Sequence, residues 1–104
     1  MPGVILDIEE VSTLPFETVS VSGTVKTLWE SSSPKIAQVG LIEDESGVIK
    51  FTSWTKSNQR WVTEGETVRV MDARKNWYEG RCSLALTSES RIEFPDRERR
   101  WWED

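Results

Sequence analysis

The chain has 104 residues, 37% hydrophobic and 30% charged, with a formal net charge of −5, one cysteine and no histidine. That length supports a single domain with a modest core. Without histidine, and with Cys82 alone, there is no Cys/His metal cluster, no Ser–His or Cys–His dyad and no internal disulfide, so neither metal, cofactor nor enzymatic activity is expected. The start MPGVILDIEE lacks the basic head and apolar run of a signal peptide, and no stretch reaches the length of a membrane span. A soluble cytoplasmic protein is expected, with no membrane partner.

Residues 1–17 contain Asp7, Glu9, Glu10 and Glu17 and no base. Val4, Ile8 and Val11 recur at helix-like spacing, and Leu14-Pro15 ends whatever forms there. This segment reads as an extension that covers one end of the core. Thr18–Trp29 reads as a long strand in which Val19, Val21, Val25 and Trp29 share one parity and Gly23 marks a bulge or coil. Trp29 is placed equally well as barrel-rim packing or as a ligand contact. Glu30–Lys35, with three serines and Pro34, is a loop.

Ile36–Glu43 is the second strand, with Ala37, Val39 and Leu41 on one face and Gln38, Gly40 and Ile42 on the other. Gly40 is expected on the outer face, where it would leave room for a base or mark a bulge. Glu43, Asp44 and Glu45 precede Ser46-Gly47 and read as a solvated hairpin turn rather than an acid/base pair. In the third strand, Val48–Trp54, Ile49, Phe51 and Ser53 point inward, and Lys50, Thr52 and Trp54 point outward. Thr55–Val62 can form about two helical turns with Thr55 as N-cap, Trp61 and Val62 plugging the barrel's end.

Thr67–Ala73 is the fourth strand, with Val68 and Val70 inward and Arg69 and Met71 outward. A loop then offers Arg74, Lys75, Trp77 and Tyr78 together, before Gly80 and the fifth strand, Arg81–Thr87, which turns Cys82, Leu84 and Leu86 inward. Five strands with a short helix between the third and fourth give the order of an all-β, five-stranded Greek-key OB-fold barrel over residues 18–93. Residues 94–104 form a charged tail whose Trp101-Trp102 pair is unusual for a solvated segment.

The net charge has to be located before a partner is inferred. Residues 18–92 hold ten bases and nine acids, so the acid excess lies at the two ends. Binding answers to the local field, and cations interleaved with flat rings suit a single-stranded nucleic acid: charge for phosphates, rings for bases.

DESGVIKFTSW, then TEGETVRV, then NWYEGRCSLAL resembles the single-stranded DNA-binding OB folds of archaeal replication protein A and the simple archaeal-type single-stranded DNA-binding proteins, over roughly residues 4–93. The resemblance implies a groove across the second and third strands, flanked by the loops after the first and fourth. Trp54 matches the family's third-strand stacking aromatic. Tyr78, two residues before Gly80, matches its loop aromatic, with Trp77 beside it able to share that role. The chain departs from the family in having only Lys35 as a cation in the loop after the first strand, and in lacking the cysteines of zinc-bearing subunits.

The expected function is single-stranded DNA binding with little sequence preference. Trp54 and Tyr78 or Trp77 would stack on bases, while Lys50, Arg69, Arg74, Lys75 and Arg81 would meet phosphates, with Lys35 and Trp29 at the rim. Two rivals stand beside it. One is single-stranded RNA binding. The other is an OB-fold interaction module of a replication or repair complex, favoured by the acidic ends and by Trp101 and Trp102.

Overall fold

The structure, a computed structural model, describes residues 4–95; Trp101, Trp102 and nearly all of the charged tail lie outside the described residues. The strands are β1 (Ile5–Leu6), β2 (Thr18–Trp29), β3 (Ile36–Glu43), β4 (Val48–Trp54), β5 (Thr67–Tyr78), β6 (Arg81–Leu86) and β7 (Arg91–Glu93), with one helix, α1 (Ile8–Val11). Five of them close into a barrel in the order β2-β3-β4-β6-β5, sealed by a β2–β5 pairing, with β1 and β7 added at the margins. Every pairing in that barrel is antiparallel except β4–β6, which is the Greek-key crossover.

The alternation expected of β4 is present: Ile49, Phe51 and Ser53 are buried, Lys50 is exposed, and Thr52 and Trp54 are half-buried. Phe51, Val21, Val25, Val68, Val70, Leu84 and Leu86 fill the barrel, each at 1% exposure or less. Full burial of one such side chain is worth roughly 1.5–3 kcal/mol. Ile8 and Val11 of α1 belong to the same cluster, so the N-terminal segment supplies core and not only cover.

Two of its links to the barrel are specific. The Asp44 carboxylate accepts the Ile8 amide at 2.9 Å, and the Ser46 hydroxyl accepts that of Glu9 at 3.0 Å. Asp44 also accepts hydrogen bonds from Ser46 and Gly47 within its own turn. Burial of its carboxyl favours the neutral form, but the Ser46 hydroxyl and the amides of Ile8, Ser46 and Gly47 outweigh it and hold the pKa below the ordinary value. The acidic turn thus caps a helix distant in sequence.

Met71, expected to face outward on the fourth strand, is buried where β5 pairs with β7 (Met71↔Arg91), and the structure corrects four further expectations. First, the register of β2 against β3 shifts between Val25 and Thr27. The shift swaps the parity, so Leu28 leans on the core and Trp29, expected on the side of Val25, is exposed. Second, Gly40 is buried, opposite Phe51 and Leu28, and not on the outer face. A Cβ there would collide with the Thr27 carbonyl and lie 2.9 Å from Leu28 Cδ2, so the glycine lets two strands approach rather than admitting a ligand.

Third, the helix after Trp54 shrinks to a single 3₁₀ turn, Thr55–Ser57. The Thr55 hydroxyl does not cap it and donates instead to the Pro34 carbonyl. Asn58 ends the turn in the left-handed region at φ 51°. The chain then continues without regular secondary structure, with Val62 buried while Trp61, expected in the core, is 64% exposed. Fourth, 74–78 is no loop but the continuation of β5, which stays paired with β6 as far as Tyr78↔Arg81. Glu79 (φ 51°) and Gly80 (φ 78°) make the two-residue turn that such a hairpin needs.

Candidate functional site

The outer face of β4, β6 and β5 carries a groove. Its floor includes the short side chain of Ala85, in a row where Thr52 of β4 pairs with Ala85 and Ala85 with Arg74 of β5. Larger neighbours rise around that row. Trp54 stands two residues further along β4, and Arg74 stands across the floor on β5. The third wall is the 3₁₀ turn with Lys56, stitched to the loop before β3 by the Thr55 amide on the Lys35 carbonyl (2.8 Å) and the Thr55 hydroxyl on the Pro34 carbonyl (2.9 Å). Together these residues enclose about 1000 Å³.

Lys35, Lys56 and Arg74 line this groove, no acidic side chain does, and none of the three is ion-paired among the described residues. A chain of net charge −5 therefore presents a locally cationic groove beside a half-buried indole.

The expected site residues fall into three groups. Lys35, Trp54 and Arg74 meet in the groove. Tyr78 and Arg81, paired at the hairpin tip, share the face of Arg74 and extend it; Tyr78 is 73% exposed. Lys50 is on the same outer face, opposite Leu41, but toward the other end of β4.

Lys75 and Trp77 point the other way. They pair with Leu84 and Cys82, and with Leu14 and Phe16 they line a separate depression on the far side of the hairpin. The Lys75 ammonium donates to the Leu14 carbonyl, so although Lys75 borders the groove its charge is directed away. Arg69 lies at the β7 end of β5, bridged to Glu93 at 3.6 Å, and is not brought to the groove. Trp29 belongs to another depression, with Trp61. Burial raises the pKa of the Cys82 thiol, with the nearby Lys75 charge opposing it, which fits a small apolar filler.

Sequence reasoning missed Lys56 and Trp61, both within the segment read as a capped helix. The run Thr55-Lys56-Ser57-Asn58 has polar residues throughout and no apolar repeat, which was the available signal against a helix packed on the core.

With this geometry in place, the chain can be compared with known structures. It is similar to the OB domain of MM0293 from Methanosarcina mazei, with 28% identity over 89% of this chain and 84% of that one and a TM-score of 0.79. It is also similar to the OB domain of Ta0387 from Thermoplasma acidophilum, at 29% identity, 86% and 85% coverage and a TM-score of 0.67. The Ifi202 HINa domain, solved in complex with 20-bp double-stranded DNA, shares the fold at a TM-score of 0.70 but only 16% identity, over 86% of this chain and 45% of that one. No family model and no curated protein matches the chain. The barrel is an OB domain. Among the described residues, no helix is long and apolar enough to cross a membrane.

Proposed function

We propose that this OB domain binds single-stranded DNA with little sequence preference, as a module of replication protein A type serving DNA replication, repair or recombination. The observation that carries the reading is the groove lined by Trp54, Ala85 and Arg74 on the outer face of the sheet, with Lys35 and Lys56 on its third side. An indole beside unpaired cations, on the outer face of a small barrel, is what base stacking with phosphate neutralisation requires. Trp54 stacks on a base, Lys35, Lys56 and Arg74 meet phosphates, and Tyr78 with Arg81 extends the track at the hairpin tip. Stacking is sequence-tolerant because every base has a π-face, hence the low sequence preference. The sequence resemblance supports the single-stranded reading, and the HIN domain solved with double-stranded DNA supports only the broader one, that a domain of this fold can bind nucleic acid.

The test is a low-salt titration of a ~15-nucleotide oligo(dT) into wild type and Trp54→Ala, with binding weakened by roughly 1–3 kcal/mol in the variant. A parallel titration with oligo(U) separates DNA from RNA, which stacking alone does not distinguish. Equal binding by both proteins would remove Trp54 from the site. The acid excess at the two ends favours a second reading, an interaction module for other replication or repair subunits. Wild type failing to bind any oligonucleotide at low salt would put that reading first.

A further inference from the structure

Trp61 is the most exposed tryptophan of the described chain, at 64%, yet its neighbours on both sides are anchored. Before it, Gln59 donates to the carbonyls of Thr87 and Ser90, both at 2.8 Å, and the Arg60 guanidinium lies 4.3 Å over the Phe94 ring. After it, Val62 is buried, and its amide and carbonyl are both held by the Gln38 side chain at 2.9 Å. An anchored segment thus holds a large indole in water. Solvation gives no reason for that placement, since transferring such surface out of water is favourable. A ligand does.

The indole borders two depressions at once. On one side, Trp61 and Trp29 wall a groove of about 410 Å³ whose lining includes Val39. On the other side, Trp61 and Trp54 border a smaller cleft of about 310 Å³. Trp54 in turn lines the cationic groove. Three indoles therefore follow one another along the outer surface, in the order Trp54, Trp61, Trp29. Among the described residues, the arm beyond Trp54 is lined by no cation, and Glu30 is its one charged lining residue.

We propose that Trp61 and Trp29 form a second base-stacking arm, continuous with the Trp54 groove, that receives the next nucleotides of the same single strand through their bases rather than their phosphates. The inference rests on the single-stranded nucleic-acid reading above and extends it to Trp61, which that reading leaves unused, giving Trp29, expected only at the rim, a stacking role beside it. Every base has a π-face, so rings in sequence along a surface suit successive nucleotides, whereas an arm without cations adds nothing to phosphate neutralisation.

The experiment compares fluorescently labelled oligo(dT) of ~6 and ~15 nucleotides, lengths within the range that one OB fold occupies. Anisotropy at several salt concentrations is recorded for wild type, Trp61→Ala, Trp61→Phe and Trp29→Ala. In wild type, the longer strand gains affinity by reaching both arms. That gain falls by roughly 5- to 150-fold in Trp61→Ala, the equivalent of losing one stacked base. Trp61→Phe recovers much of it, and Trp29→Ala loses part of it. The salt slope with the longer strand stays that of wild type, a signature that loss of a phosphate contact would not give. If Trp61→Ala keeps the full gain while Trp54→Ala weakens both lengths, the second arm is not a nucleic-acid surface and this inference fails, although the functional reading survives. If wild type binds neither length, both fail together.

Discussion

The two faces of the β5–β6 hairpin are built from one run of residues and do different work. Arg74, Asn76 and Tyr78 share a face with Ala85, Ser83 and Arg81, and on that face Arg74, Asn76 and Ala85 line the groove beside Trp54. Lys75 and Trp77, interleaved with them, turn toward Leu14 and Phe16 of the N-terminal segment. There Lys75 donates to the Leu14 carbonyl and its amide donates to the Glu17 carbonyl at 2.9 Å. One face leaves its cation unpaired among the described residues; the other spends its cation on holding the chain. A cluster of cations and rings in sequence is therefore not a cluster in space, and alternation decides which members reach a ligand.

The sharpest way to break this comparison is to remove the two adjacent rings separately. Tyr78→Ala lowers affinity for oligo(dT) by about 1–3 kcal/mol, the value of one stacked base. Trp77→Ala leaves affinity unchanged, because its ring is on the opposite face of the strand. Both rings are more than half exposed, at 73% and 53%, so neither variant opens a cavity. Isothermal titration on both variants reads the result. The reverse outcome, loss with Trp77 and none with Tyr78, would place the ligand on the far side of the hairpin.

The same hairpin marks how far the sequence could be read. The β4 alternation and the inward Leu84 and Leu86 were legible because a period of two over a buried face leaves one solution. The strand order followed from those segments. The extent of β5 was not legible, because Glu79-Gly80 is a weaker hairpin signal than the Asn-Gly or Asp-Gly pairs that announce a two-residue turn. The residues before it therefore read as loop. Trp29 was misplaced for a different reason: a register shift between Val25 and Thr27 swaps inside for outside, and no residue type there announces it. Trp61 was misplaced because a large apolar residue beside Val62 reads as core unless the helix carrying both is known to be absent. The groove itself depends on Ala85 lying between Thr52 and Arg74, a crossover pairing between strands far apart in sequence.

The face that holds the chain can be tested at its other anchor. Asp7, the residue preceding α1, makes no side-chain capping bond, and the Asp44 carboxylate takes the Ile8 amide instead. Asp44→Ala costs about 1 kcal/mol at neutral pH, as loss of a helix cap usually does. Because the folded-state pKa of Asp44 is lowered, its contribution is complete above the unfolded-state value of about 3.9 and is lost as pH falls through the folded-state pKa. Urea denaturation of wild type and variant should therefore differ at neutral pH and converge in the acid range. A constant difference at all pH values would mean that the turn acts through packing rather than through its charge.

The smallest effect separates the two neighbouring cations. If Arg74 meets a phosphate, Arg74→Ala reduces the slope of log K against log salt by about 0.7, the counterion release of one contact on a single strand. Lys75→Ala has the opposite signature. Its ammonium is directed at the Leu14 carbonyl, so the salt slope is kept while stability falls by about 0.5–1.5 kcal/mol, the range for one hydrogen bond. Combining Lys75→Ala with Asp44→Ala then asks whether the N-terminal segment is a single unit held at two points. The anchors are at Ile8 and Leu14, either side of the buried Val11. Releasing one frees part of what the other holds, and the double variant should lose less than the sum of the singles. Strict additivity would mean that the two ends of the segment are held independently, with Val11 rather than the hydrogen bonds fixing its course.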